Sequence, residues 1–340
     1  MSTGKAVAAP APAESANGWY LSADSAWQNV NLPEYALGFH KVVSPSFNDA
    51  GPFQSLRQHL DGYRIQGVAG YFLPGEYSTT LIGANTRVEF GLLYGHATGS
   101  ASGTSLYTDG GIVGLTMDGA GAGSGYICAG FQPCTTTTNL SSTYSNWQID
   151  GKIAGEERMG EILVTRSLAV FGGDTHTGQA MVQSVQIGAA PTNPTYKANT
   201  SVRWADIGVR AGLGMKVDLT SRVTADLGGS VGLAGRHATL EGSDFAGLST
   251  LTLLDGASSV SDSGNTMPVV ANAEAGLSVK ILPALTLRGF TGFNFDSKVP
   301  GVTSPSFGGT VGVVTSRSPA RTSFQSEFSY YAGAGMSWTF

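Results

Sequence analysis

Apolar residues recur at every second position through much of this chain, and no such run is continuous. Trp19, Leu21, Ala23 and Trp27 share one parity, with Ser22, Asp24, Ala26 and Gln28 on the other. A period of two predicts an extended strand with one apolar and one polar face. The pattern returns with Tyr63, Ile65, Ala69 and Tyr71 opposite Arg64, Gln66 and Gly70, then with Val88, Phe90, Leu92 and Tyr94 opposite Arg87, Glu89 and Gly91. Trp147, Ile149 and Ile153 oppose Gln148, Asp150 and Lys152. A segment over roughly 161–172 carries Arg166 as its polar marker, but Leu and Val occupy both parities and leave its faces open. Ala205 to Leu213 oppose Asp206, Gly208, Arg210 and Gly212, and Val223 to Leu233 oppose Thr224, Asp226 and Ser230. Val269 to Val279 oppose Asn272, Glu274, Ser278 and Lys280, and Leu285, Leu287, Phe293 and Phe295 oppose Arg288, Asn294 and Asp296. The chain ends on Phe328, Tyr330, Ala332, Ala334, Met336, Trp338 and Phe340 opposite small, mostly polar residues.

These are ten expected strands. Long connections over 31–62, 98–142, 173–199, 236–266 and 297–325 alternate with short ones at 75–85, 155–160, 218–222 and Leu282-Pro283. Long loops at one end and tight turns at the other are the asymmetry of a transmembrane barrel. The expected fold is therefore all-β: a transmembrane antiparallel up-and-down β-barrel of about ten strands over 18–340, with long external loops and short periplasmic turns. Residues 1–17, rich in small residues and proline, read as a flexible linker. The competing reading of the final strand is the last strand of a soluble β-sandwich.

Composition sharpens this choice. Only 13% of residues are charged, against roughly 25% in soluble proteins, yet no run of about 18 apolar residues forms a transmembrane helix. Strands that bury one face in lipid give this combination. The net charge of −5 argues against a nucleic-acid partner. The N-terminus lacks the apolar core of a secretory signal, so a protein bound for the bacterial outer membrane is expected to have had that segment removed or truncated. Cys128 and Cys134 flank Ala-Gly-Phe-Gln-Pro; a local disulfide in an oxidising compartment is the preferred reading, with two free thiols as the alternative.

A charge on the lipid face costs on the order of 2–4 kcal/mol, so the polar-face charges belong in the lumen. The expected pore-lining residues are Arg64, Arg87, Glu89, Asp150, Lys152, Arg166, Asp206, Arg210, Asp226, Glu274, Lys280 and Arg288, with Asp24 and Asp296 on the same faces. Arg64, Arg87, Arg210 and Arg288 would face Glu89, Asp206, Asp226 and Glu274. About eight strands leave a lumen that side chains fill. Ten strands with balanced charge suit either a narrow porin-like channel, the first expectation, or a sealed barrel whose loops make surface contacts. No catalytic set is complete, so no enzyme is expected, and no cofactor or metal. The histidines His40, His59, His96, His176 and His237 fall in loops or at strand tops without metal-ligand spacing.

Some short stretches carry resemblances. Gly335-x-x-Trp338-x-Phe340 resembles the terminal assembly signal of bacterial outer-membrane barrels, which implies recognition by the barrel-assembly machinery and contact with outer-membrane lipid and lipopolysaccharide. Ala9 to Ala13 with Asn17-Gly-Trp-Tyr-Leu21 resembles the mature N-termini of rhizobial-type and OmpA-like barrels. Trp204 to Met215, followed by Gly228 to Gly235, resembles the Legionella major-outer-membrane-protein-like family, which implies pore activity. Asp174-Thr-His176 resembles half of the omptin protease site; its partner Asp-x-Asp is missing, and Asp255 and Asp262 are too far apart to replace it.

Overall fold

The computed structural model describes residues 18–43, 48–73, 84–119, 122–128, 130, 132–189, 195–247, 256–310 and 313–340. The linker expected over 1–17 lies outside these residues, as do Asp255 and most of the 75–85 connection. In order, the chain forms β1 (Gly18–Tyr35), β2 (Phe39–Val43), β3 (Asn48–Pro52), β4 (Leu56–Phe72), β5 (Ala84–Tyr107) and β6 (Gly110–Gly114). It continues through β7 (Ala122–Cys128), β8 (Cys134–Met159), β9 (Ile162–Ile187), β10 (Thr195–Asp218), β11 (Val223–Gly247) and β12 (Gly256–Thr266). It ends with β13 (Val269–Lys280), β14 (Leu285–Val302), β15 (Ser306–Thr310), β16 (Val313–Ser318) and β17 (Thr322–Thr339).

β1, β4, β5, β8, β9, β10, β11, β13, β14 and β17 pair in that order, and β17 pairs back onto β1. Every pairing is antiparallel, so the ring is a closed barrel with no free edge, the form of sheet a bilayer accepts. β12 prolongs β13: β11 pairs with both, through Arg236↔Thr266 and Leu233↔Val269. Pro268, which has no N–H to give the ladder, marks the break between them.

The apolar parity seen in the sequence faces outward. Trp19, Leu21, Ile65, Phe90, Leu92, Ile149, Ile207, Val209, Leu213, Val231, Leu277, Met336 and Trp338 are exposed on the outer surface. They form a continuous belt, bounded by Trp27, Tyr63, Tyr94, Trp147, Phe328 and Tyr330 towards the loop end. On β9 the ambiguity resolves with Leu168 and Val170 outside and Ala169 and Phe171 inside.

The long loops expected from the sequence are largely strand. A barrel strand crosses a bilayer in about 9–11 residues, whereas β8 and β9 have 26 each. Residues 98–107, 134–142, 173–187, 195–199 and 236–247 prolong the wall well beyond the apolar belt. The physical reason is an inversion of the pattern. On β10, Tyr196, Ala198, Val202 and Trp204 are buried inside while Lys197, Asn199 and Arg203 face out. Once lipid gives way to water, the apolar parity moves to the interior. The 155–160 turn is also tighter than expected: Met159 pairs with Ile162, and Gly160 turns the chain at φ +66°.

Candidate functional site

The lumen within the belt is filled by ion pairs in three groups. Near the turn end, Arg87 Nε donates to Glu89 Oε1 at 2.6 Å and Nη1 to Glu156 Oε1 at 2.9 Å. Lys152 pairs with Glu89, and Lys216 Nζ reaches Glu156 at 3.2 Å. Midway, Arg210 bonds Asp150 at 2.9 Å over the ring of Phe171. Arg288 joins Asp226 and, at 2.6 Å, Glu274, which also accepts from Tyr331 Oη at 2.9 Å. Arg64 stacks 4.0 Å from the centroid of Tyr331. At the loop-end limit of the belt, Arg236 donates to Asp206 at 2.7 and 2.6 Å, to Asp296 at 2.6 Å and to the Lys298 carbonyl at 2.7 Å. Arg236 and Glu89 are almost fully buried, and charges withdrawn from water need such full pairing.

The structure therefore brings together most of the residues singled out from the sequence, with some different partners. Arg210 meets Asp150, and Asp206 meets Arg236. Arg166 is not in the lumen: it lies on the outer face near the turn end, bonded to Glu157 at 2.9 Å. Lys280 sits exposed at the turn end of the inward parity. Arg236 was hidden because its strand was taken to stop at Leu233; its parity, shared with Asp226 and Ser230, was the available signal. Gly335 faces the lumen, where a Cβ would collide with the Asp24 carboxylate, while Trp338 and Phe340 face outward.

Beyond Arg236 the interior changes character. β3, β2, β6 and β7 form a four-stranded sheet that caps the loop end. Leu37, Phe39, Phe53, Ile112 and Met117 pack with Leu140, Met181, Val185, Tyr196, Val202, Trp204 and Leu240 in one buried apolar cluster. Gln183, fully buried, accepts from the Phe39 N–H at 2.7 Å and donates to Thr138 at 2.9 Å. Asp244 accepts from Met117 N–H at 2.8 Å, Tyr196 Oη at 2.5 Å and Ser258 Oγ at 2.5 Å. Burial raises the Asp244 carboxyl above its usual range, with these donors opposing the shift, and burial raises the Tyr196 phenol too. Cys128 and Cys134 are disulfide-bonded, with Cα atoms 5.3 Å apart, and tie the end of β7 to the start of β8 inside this cluster.

The omptin-like pair does not converge on a site. Asp174 bonds Arg203 at 2.9 Å and His176 bonds Ser201 at 2.9 Å, both on the outer wall. Asp262 accepts the Thr322 N–H at 2.7 Å. His59 and His237 bond Asn31 and Asn265, and His96 lies beside Tyr63. Among the described residues, no three metal-binding side chains cluster.

No protein-family model matches the chain, and no curated protein sequence does. Solved structures show similar arrangements at low identity. The outer membrane protease OmpT from Escherichia coli is 11% identical with a TM-score of 0.45, over 94% of this chain and 97% of that one. A FadL homologue from Pseudomonas aeruginosa is 7% identical with a TM-score of 0.30, over 95% and 90%. The translocator domain of autotransporter NalP from Neisseria meningitidis is 12% identical with a TM-score of 0.30, over 95% and 89%.

Proposed function

We propose that the protein is a bacterial outer-membrane barrel closed to solutes, acting at the cell surface through its cap and the wall beyond the belt. One observation carries this reading: the interior is occupied along its length, first by paired charges and then by an apolar core. The narrow-channel alternative needs a hydrated path, and the paired groups of Arg87, Arg288 and Arg236 together with the cap stand across it. In this reading the apolar belt contacts outer-membrane lipid, and the Trp338–Phe340 end of β17 is the signal read by the assembly machinery. The hydroxyl-rich outer wall, with Ser100, Ser102, Thr104, Thr135, Thr137 and Ser141 on its exposed parity, stands among lipopolysaccharide sugars.

Refolded protein in planar bilayers tests the proposal. Wild type and Arg210→Ala should both insert without discrete conductance steps. Reproducible steps from wild type, with altered size or ion preference in Arg210→Ala, would establish the channel instead.

A further inference from the structure

His40 is the one histidine buried in the cap, and its two ring nitrogens have different partners. Nδ1 faces the Asp49 carboxylate at 3.1 and 3.0 Å, and Nε2 lies 3.0 Å from Ser304 Oγ. A carboxylate can only accept, so Nδ1 carries the proton and Nε2 is left free to accept from the serine. The His40 and Asp49 side chains are 0% and 5% exposed, whereas Ser304 is only partly buried. A buried acid–imidazole pair that presents its free nitrogen to the hydroxyl of a partly exposed serine is the arrangement that activates a serine nucleophile.

The local backbone is built to hold it. β2 pairs with β3 through Lys41↔Gly51 and then Val42↔Asp49, so Ala50 is an extra residue in the ladder. Such a bulge re-aims a neighbouring side chain, here Asp49. Gly51 takes φ +102°, a conformation that favours glycine, and its N–H donates to Asp49 Oδ1 at 2.7 Å. On the other side, Thr303 is pinned by its N–H donating to the Arg321 carbonyl at 2.8 Å and by the Arg321 N–H donating to its hydroxyl at 2.8 Å. Pro305 follows Ser304 and restricts its backbone further. The β2–β3 hairpin and the distant β14–β15 connection thus converge on a single hydrogen-bonded relay at the loop end.

We propose that Ser304, His40 and Asp49 form a serine-hydrolase site for small carboxylic esters approaching from the loop end. Ser304 Oγ attacks the ester carbonyl carbon while its proton passes to His40 Nε2. His40 returns that proton to the departing alcohol oxygen as the C–O bond breaks, leaving acyl-Ser304. Water then attacks the acyl carbon and gives a proton to His40. Ser304 leaves with that proton, and the carboxylic acid is released. Asp49 is a positioning residue that holds the imidazole tautomer and stabilises its cationic form. The inference is independent of whether the barrel conducts, because the relay lies in the cap.

The test uses the full, refolded chain with a fluorophosphonate probe, whose phosphorus is attacked by an activated serine with loss of fluoride, and with p-nitrophenyl acetate. Wild type should be labelled at Ser304, mapped by peptide analysis. Ser304→Ala, at a partly exposed position that should not disturb folding, should lose labelling and at least about 100-fold in ester turnover. Asp49→Asn should lower kcat for the ester about 10²- to 10⁴-fold with KM little changed, in protein whose folded fraction matches that of wild type. Heat-modifiable gel migration verifies folding of each variant. Folded wild type that stays unlabelled and turns over the ester no faster than Ser304→Ala overturns the proposal. So does labelling that persists unchanged in Ser304→Ala.

Discussion

Within the belt, the wall strands turn apolar residues out and charges in; beyond it, the same strands turn hydroxyls out and apolar residues in. On β10 the switch falls between Trp204, buried inside, and Ile207, exposed outside. The hydrogen-bond ladder runs through it unbroken, from Thr195↔Gly247 to Asp218↔Thr224. Backbone pairing is therefore indifferent to the change, and side-chain polarity follows the medium on each face. The two regions also close the interior differently. In the belt, closure rests on ion pairs with lumen-facing glycines making room, as at Gly335. Beyond it, closure rests on a packed core of the kind found in soluble proteins, reinforced by buried polar anchors and the disulfide.

The junction is where this contrast breaks most easily. Arg236→Ala leaves Asp206 and Asp296 without their shared partner in a buried site, and loss of one member of such a network costs about 3–5 kcal/mol. Arg203→Ala, three residues before Asp206 on β10 and on the exposed wall, removes a surface pair worth at most about 1 kcal/mol. Urea unfolding of the refolded protein in lipid should show this gap; equal effects would mean that Arg236 is hydrated.

A charge placed on the outer face should read the surrounding medium directly. Val209→Arg, at the middle of the belt, should destabilise by about 2–4 kcal/mol. Ser201→Arg, on the same parity of the same strand beyond the belt, should fall within about 0.5 kcal/mol of wild type. Equal costs in lipid-inserted protein would place the bilayer boundary elsewhere.

The smallest effect concerns the cap alone. Asp244 is raised chiefly by burial, so the folded cap holds its proton more tightly than the unfolded chain does. Its contribution is fully present below the ordinary aspartate value of about 3.9 and is lost as pH rises through the raised one. Hydrogen exchange at Met117 and neighbouring amides should accordingly show a cap that tightens on acidification. Asp244→Asn keeps an acceptor for Met117 and Tyr196 and a donor for Ser258, and should flatten that dependence while leaving the belt unchanged. An identical pH profile in both proteins would assign the effect to another group.

What could be read from the sequence was the belt. Period-two runs such as Ala205 to Leu213 identify a strand and both of its faces, because lipid on one side imposes a single unbroken apolar parity. Asp226, Glu274 and Arg288 could be assigned to one interior for the same reason. The wall beyond the belt was missed because its apolar parity is opposite and diluted by serine and threonine, so 134–142 and 236–247 read as loop. Arg166 was misplaced because parity is ambiguous where leucine and valine occupy both faces. Tertiary structure alone decided which charges meet. Parity says that Arg210 points inward, but the stagger of strands around the ring sets Asp150 rather than Asp206 opposite it. The same holds for Ser304: the β2–β3 hairpin sets Asp49 beside His40 locally, but no local spacing relates either to Ser304, which meets His40 only because the fold brings the β14–β15 connection against that hairpin.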